Sequence, residues 1–331
     1  MMTPELPIKI LGIGRYLPRT QVLSTKLDDD LGLPEGSVEK KSGLFSRYFS
    51  AHDETTSYMA SRAALAAIEH ANVSLSSIDL IIAACGVGEQ LLPCTAALVQ
   101  RQLGLEHSGI ACFDVNSTCL SFITALDIAA HLLTHQRFNR ALIVSSERPS
   151  VGLNWNDLES STIFGDGAAA CIVENSKDHG RILAFHMETY SIGADYCRVE
   201  AGGTSHAPAS DYDKTLGLFK MDGKKVFRLA SQMIGDMQQT LLRKANIGLD
   251  EIDWVVPHQA SQLAMNHIRK RLGIAPEKFV DIFKTHGNQM AASIPTVLHY
   301  LIHHQGLKQG QRIYLLGTGA GISAAGMILE Y

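Results

Sequence analysis

Apolar residues along this chain recur in two rhythms, short unbroken runs and helix-spaced stripes, and the two alternate. Ile8 to Ile13 is an apolar run that predicts a strand, and a polar, irregular stretch follows to about Asp53. A helix is expected from about Glu54 to Asn72, a strand from Asp79 to Cys85, and a helix from about Thr95 to Leu103, stopped by Gly104. Gly109 to Phe113 is short, apolar and β-prone, and reads as a buried strand. From Phe122 to Leu133, the residues Phe122, Ile123, Leu126, Ile128, Ala129, Leu132 and Leu133 fall at helical spacing. Arg140 to Ser146 predicts the next strand. A loop from Glu147 to Thr162 then leads to Phe164-Gly165-Asp166-Gly167 and a small-residue strand, Ala168 to Val173. Strands alternating with helices imply an α/β chain with a largely parallel, helix-covered sheet.

The second half restates the first. Ala71-Asn72-Val73-Ser74-Leu75-Ser76-Ser77-Ile78-Asp79-Leu80 lines up with Ala245-Asn246-Ile247-Gly248-Leu249-Asp250-Glu251-Ile252-Asp253-Trp254. Leu103-Gly104-Leu105 matches Leu272-Gly273-Ile274, and Ala141 to Val144 matches Arg312 to Leu315, all at an offset of about 170 residues. This predicts a duplicated α/β unit, with halves 1–175 and 176–331 related by a pseudo-twofold axis. The boundary falls in the polar stretch Glu174 to Gly180.

Composition narrows the classes. A chain of 331 residues with 46% hydrophobic and 19% charged content is globular, and its net charge of −4 argues against a nucleic-acid-binding surface. Met1 to Pro18 lacks the pattern of a signal peptide, and no run approaches a membrane span, so no membrane association is expected. The six cysteines show neither CxxC nor zinc spacing, and five are expected to fill core space in a reducing cytoplasm. The fourteen histidines are mostly scattered, so no metal is expected.

Between the strand at Gly109–Phe113 and the helix at Phe122–Leu133 lies Asp114-Val115-Asn116-Ser117-Thr118-Cys119. Cys119 thus sits at a strand-to-helix turn, where free N–H groups and the helix dipole favour a thiolate nucleophile and can hold an oxyanion. The same stretch equally suits a buried structural cysteine. In the second half the position matching Cys119 falls beside Asn288, in His286-Gly287-Asn288-Gln289-Met290-Ala291-Ala292-Ser293, and a matching strand ends in Pro257-His258-Gln259. A pseudo-twofold would bring Cys119, His258 and Asn288 together at the carboxyl edge of the sheets, and a paired Cys and His suit nucleophilic catalysis.

With these residues in hand, the chain resembles ketoacyl-ACP synthase III, of the thiolase-fold condensing enzymes. Asp114-Val115-Asn116 with Cys119 resembles the nucleophile motif, and Phe164-Gly165-Asp166-Gly167-Ala168 the glycine-rich turn. His258-Gln259-Ala260, His286-Gly287-Asn288 with Ala291-Ala292-Ser293, and Gly317-Thr318-Gly319-Ala320-Gly321 resemble the histidine, asparagine and closing glycine motifs. The resemblance implies two α/β halves packed in five layers (αβαβα), a homodimer, and no metal, nicotinamide or flavin. It further implies that Cys119 takes an acyl group from an acyl-CoA or acyl-ACP, with the N–H groups of Cys119 and Gly319 as oxyanion hole. His258 and Asn288 would stabilise the enolate formed as malonyl-ACP loses carbon dioxide, and attack on the acyl-Cys would give 3-oxoacyl-ACP. Leu92, Leu120 and Phe122 are expected at the acyl pocket, whose depth depends also on Gly202 to Gly217. Arg269, Lys270 and Arg271 are expected to dock the acidic carrier, although basic residues ending a helix also complement its dipole.

Several positions depart from the family pattern. Ser37-Val38-Glu39-Lys40-Lys41-Ser42-Gly43-Leu44 stands where a tryptophan and an arginine usually help hold coenzyme A, which weakens stacking and bidentate phosphate contact. Leu120-Ser121-Phe122 replaces Ser-Gly-Phe, Ser261 replaces asparagine, and Leu263 replaces a basic residue. Leu92 stands where relatives that join two acyl chains head to head carry a glutamate base, and leucine takes no proton. Alternatives are simple acyl transfer from Cys119, head-to-head condensation, a non-catalytic partner subunit and a carrier-binding scaffold.

Overall fold

The computed structural model describes residues 5–207 and 211–331. Up to residue 175 the strands are β1 (Ile8–Tyr16), β2 (Thr20–Leu23), β3 (Ser46–Phe49), β4 (Leu80–Ala84), β5 (Ala111–Val115), β6 (Arg140–Glu147) and β7 (Gly167–Asn175). The helices there are α1 (Ser24–Leu31), α2 (Ser37–Ser42), α3 (Thr56–Ala71), α4 (Thr95–Gln102), α5 (Ser121–Thr134) and α6 (Leu158–Ser161). Beyond it come β8 (Arg181–Thr189), β9 (Cys197–Arg198), β10 (Lys220–Met221), β11 (Trp254–Pro257), β12 (Arg312–Gly319) and β13 (Ser323–Glu330). With them run α7 (Gly223–Ala245), α8 (Gln262–Arg271), α9 (Phe283–His286) and α10 (Ser293–His304).

Two sheets dominate, ordered β1-β7-β6-β4-β5 and β8-β13-β12-β11. Directions agree strand for strand: β1 and β8 run antiparallel to β7 and β13, which run antiparallel to β6 and β12, and β4 and β11 lie parallel to these. Beside β11, Phe279 bridges Val255 in parallel, in the place that β5 takes beside β4. The repeated sequence has a repeated physical cause. Asn72 and Asn246 end α3 and α7 in left-handed backbone, at φ 51° and 55°, and Gly104 and Gly273 turn the chain at 71° and 68°. Asp79 and Asp253 then accept from the backbone N–H of Arg140 and Arg312 at 2.9 and 2.8 Å, which sets each strand against its neighbour.

The layers follow from where apolar side chains meet. α3 and α4 cover one face of the first sheet through Ala60, Ala63, Val99, Ile81 and Leu142. α5 and α10 fill the space between the sheets, with Leu126, Leu298, Ile143 and Leu315 in one core. α7 covers the far face of the second sheet through Met233, Met237 and Leu241 against Tyr314 and Ile328. The result is the thiolase-like five-layer α/β arrangement.

Glycine in β1 lets α3 lie directly on the strand. A Cβ at Gly14 would stand 2.3 Å from both Ala63 O and Ala67 N, so Gly14→Ala must push the helix off the sheet. Such overpacking costs about 1–3 kcal/mol, and a lowered midpoint in urea unfolding with an unchanged slope is the expected result.

The sheets expected to be largely parallel are mixed, since β1, β7, β8 and β13 run antiparallel to their neighbours, and two stretches also differ from the sequence reading. The polar region before Asp53 holds β2, β3, α1 and α2, organised by polar bonds that no apolar rhythm reports. Asp28 accepts from Gly36 N and Val38 N at 2.7 and 2.8 Å, and buried Arg47 reaches Ser24 Oγ at 2.7 Å. The strand expected at Gly109–Phe113 runs instead over Ala111–Val115 and is not buried, because it pairs only with β4 at the edge of the sheet. Its Asp114 accepts from Thr95 N and Ala96 N at 2.7 and 2.8 Å, caps α4 and so fixes the strand where it lies. Among the described residues, no helix is long and apolar enough to cross a membrane.

Candidate active site

The Cys119 turn is built by its neighbours. Asn116 Nδ2 donates to Gly86 O at 3.0 Å while its Oδ1 accepts from Thr118 N at 2.9 Å. Thr118 is thereby held in left-handed backbone, at φ 53°, and Ser121 Oγ accepts from Ser117 N at 2.9 Å. Cys119 follows, partly exposed, two residues before α5 begins. The expected thiolate is not the resting form. Burial pushes the Cys119 thiol up, with Cys197 and Glu147 adding to it, against smaller lowering by the N–H groups of Ala320 and Cys119 itself. A helix terminus supplies about 0.3–1 kcal/mol, which desolvation outweighs. Cys119 therefore rests as a thiol.

His258 directly follows β11, and its N–H donates to Leu316 O of β12 at 2.8 Å. It is buried, and its Nδ1 has no hydrogen-bond partner, which distinguishes it from a satisfied core histidine. Burial lowers its pKa from 6.5 to about 4, so the ring is neutral in the folded protein. A depressed histidine pKa means that the unfolded chain binds the proton more readily. The stability this ring contributes is present above pH 6.5 and is lost as pH falls through about 4. A rate profile should accordingly show no limb near 6.5 from His258, and a limb near 6.5 in the wild type that His258→Gln removes would contradict the assignment.

Asn288 is fixed by backbone on both sides: its N–H donates to Ile163 O at 2.8 Å and its carbonyl accepts from Gly165 N at 3.2 Å. Its Oδ1 accepts from Met290 N at 2.8 Å and its Nδ2 donates to Ala260 O at 3.2 Å. One Nδ2 hydrogen is left over. The expected strand-to-helix turn is here α9, a turn and a short 3-10 segment, Met290–Ala292, before α10. The glycines around it serve close backbone approach, since a Cβ at Gly165 would stand 2.2 Å from His286 O and one at Gly287 2.9 Å from Ile163 O.

The three turns meet. A Cβ at Gly317 would lie 2.9 Å from His258 Cβ and 3.1 Å from Leu120 Cδ2, so the space of one methyl separates the His258 strand end from the residue after Cys119. A Cβ at Gly86 would lie 3.1 Å from Met290 Cε and 3.5 Å from Thr118 Cα, which joins the turn after Asn288 to the Cys119 turn. Gly319 lies against Thr118, where a Cβ would stand 2.5 Å from Oγ1. The next residue, Ala320, is the one whose N–H faces the Cys119 sulfur. Ala320 was not singled out from sequence, although it lies within the closing glycine motif.

Other expected residues lie elsewhere. Leu120 and Phe122 are both 0% exposed, packed in the core between the sheets. Truncating a buried phenylalanine costs about 3–5 kcal/mol, so Phe122→Ala is expected to destabilise the fold. Leu92 is 84% exposed on the loop before α4. Arg269 Nη1 donates to Ile274 O at 3.3 Å and closes the end of α8, leaving Lys270 and Arg271 exposed. Ser261 caps α8 by accepting from Ala264 N at 3.3 Å. Within Gly202 to Gly217, residues 208–210 lie outside the described residues. Among the described residues, no group of three or more His, Cys, Asp or Glu side chains is placed to hold a metal. A cavity of about 430 Å³ between Ile8–Ile10, Glu174–Gly180 and Leu329–Tyr331 contains none of Cys119, His258 and Asn288.

Comparison with known proteins gives this site a family. Residues 113–191 match the family described as 3-oxoacyl-[acyl-carrier-protein (ACP)] synthase III, and residues 242–331 match its C-terminal counterpart. The chain is 33% identical over 328 residues to a beta-ketoacyl-[acyl-carrier-protein] synthase III of Ruegeria sp. (strain TM1040), covering 97% of this chain and 98% of the relative. A relative of the same description from Aquifex aeolicus (strain VF5) is 33% identical over 324 residues, covering 98% of this chain and 99% of that one. The crystal structure of 3-oxoacyl-[acyl-carrier-protein] synthase III from Aquifex aeolicus VF5 superposes with a TM-score of 0.88 at 31% identity, covering 98% of this chain and 100% of that chain. The chain belongs to the 3-oxoacyl-[acyl-carrier-protein] synthase III family of condensing acyltransferases.

Proposed function

We propose that Cys119 accepts an acyl group from an acyl-CoA or acyl-ACP, and that the acyl group is then joined to malonyl-ACP with loss of carbon dioxide. The observation that carries this reading is the meeting of the Cys119, His258 and Asn288 turns around Gly86 and Gly317. The Cys119 sulfur attacks the thioester carbonyl, the carrier thiol leaves with the sulfur's proton, and the N–H groups of Cys119 and Ala320, rather than the Gly319 N–H expected from sequence, take up the oxyanion. Malonyl-ACP follows. Neutral His258 and the spare Nδ2 hydrogen of Asn288 donate to its thioester carbonyl and hold the enolate left by decarboxylation. The enolate carbon attacks the acyl-Cys carbonyl, and the Cys119 thiolate departs with the 3-oxoacyl product formed.

Exposed Lys270 and Arg271 at the end of α8 suit the acidic carrier, and exposed Lys40 and Lys41 of α2 remain for the coenzyme A phosphates. The unpaired edge of β5, beside exposed Val87, Leu91 and Leu92, suits a second copy of the chain, in which Leu92 would reach the partner's acyl pocket. The free cysteines suit a reducing cytoplasm. No metal or redox cofactor enters these steps. The test is to supply short, medium and long acyl-CoAs with malonyl-ACP and to follow carbon dioxide and 3-oxoacyl-ACP together. Equal release of both supports the reading; acyl-CoA consumption without carbon dioxide overturns it.

A further inference from the structure

Glu147 ends β6 with its carboxyl inside the protein, 1% exposed, and none of the steps above uses it. Its Oε1 accepts the N–H of Gly86. Oε2 has no hydrogen-bond partner of ordinary length, although the N–H groups of Val87 and Ala291 also face the carboxyl. The titratable groups around it are Cys85, Cys119 and Asp166, none of them a cation, and the adjacent Arg148 binds Ser50 Oγ and Ala51 O instead. A lone buried carboxyl is costly, and one kept beside a nucleophile calls for a reason.

Its connections supply one. The Gly86 N–H is held by Glu147, and the Gly86 carbonyl is held by Asn116, whose Oδ1 holds the N–H of Thr118. A Cβ at Gly86 would stand 3.3 Å from Glu147 Oε1, 3.1 Å from Met290 Cε and 3.5 Å from Thr118 Cα. We propose that Glu147 is a positioning residue for the condensation. Through Gly86 and Asn116 it fixes the left-handed Thr118 that presents Cys119, and through the 290–292 turn it fixes Asn288 opposite. This rests on the roles proposed above for Cys119 and Asn288. Burial pushes the carboxyl up to about 8, so below that pH it stays uncharged and adds no negative charge beside the thiol.

The test compares Glu147→Gln, which keeps an acceptor at Oε1 and cannot ionise, with Glu147→Ala, which removes it. The readouts are kcat for 3-oxoacyl-ACP formation and the pH profile of Cys119 alkylation by iodoacetamide. Glu147→Ala is expected to lose about 10- to 100-fold in kcat, the scale of a small misplacement of reacting groups, and Glu147→Gln to recover most of it. Above pH 8, Glu147→Gln is expected to alkylate about three- to tenfold faster than wild type, because the charge opposing the thiolate is gone. Equal loss in both variants overturns the proposal. Should Glu147→Ala fail to fold, Asn116→Ala breaks the same relay at its next link, and wild-type kcat there overturns the proposal. Wild type that alkylates at Cys119 but makes no 3-oxoacyl-ACP refutes the proposed function instead, and an unchanged alkylation rate in Glu147→Ala then overturns the proposal for Glu147.

Discussion

Cys119→Ala is expected to lower condensation by at least about 1,000-fold while leaving the fold intact, since a removed nucleophile strips out the covalent route and leaves only binding and oxyanion stabilisation. The reasoning begins with the turn. Thr118 takes left-handed backbone because Asn116 and Ser121 hold the segment, and the sulfur that follows meets the N–H of Ala320. Cys171, fully buried in β7, and Cys85, buried where β4 ends, lack that setting. Cys119 is partly exposed and contributes little to the core, so alanine there costs within about 1 kcal/mol of stability. Parallel melting curves with a lost rate would bear this out. Activity above about a hundredth of wild type would mean that another group carries the acyl chain.

The second large effect separates the two halves of the reaction. His258→Ala and Asn288→Ala are each expected to lower condensation by about 100- to 1,000-fold, the usual loss for one donor to a developing oxyanion, while acylation of Cys119 continues. His258 follows β11 and Asn288 precedes the 3-10 segment Met290–Ala292, so neither belongs to the turn that presents the sulfur. His258 is neutral and Asn288 keeps one Nδ2 hydrogen, so each offers a donor without a net charge. Because the two donors act on one oxyanion, the double variant should lose less than the product of the single losses. Single-turnover acylation with acyl-CoA and decarboxylation of malonyl-ACP, measured separately, check the split. Loss of acylation in either variant would move that residue to the first half-reaction.

How far the sequence reached depends on which force organised each part. Strands β4, β6 and β7 and helices α3, α4 and α5 bury continuous apolar faces, and their positions were legible from periodicity. The duplication was legible because its punctuation, Asn72 with Asn246 and Gly104 with Gly273, answers the same backbone demand twice. Where polar bonds do the organising, periodicity was silent. Asp28 and Arg47 build the region of α1 and α2 through single contacts, and Asp114 anchors an exposed edge strand that an apolar run had suggested was buried. At the site, the positions of Cys119, His258 and Asn288 on turns were legible from motif order. The protonation of Cys119 was not, because it follows from burial summed over distant segments. Glu147 carries a faint signal, an acid after Ser145-Ser146 at the end of the apolar run Ala141 to Val144, but its partners at Gly86 and Ala291 are visible only in three dimensions.

The most direct measurement is intact-protein mass spectrometry of wild type and Cys119→Ala, loaded with acyl-CoAs of graded length and then chased with malonyl-ACP. The mechanism predicts one acyl mass on wild type alone, removed by the chase as 3-oxoacyl-ACP appears. An acyl mass that survives the chase, or that appears equally on Cys119→Ala, would contradict it.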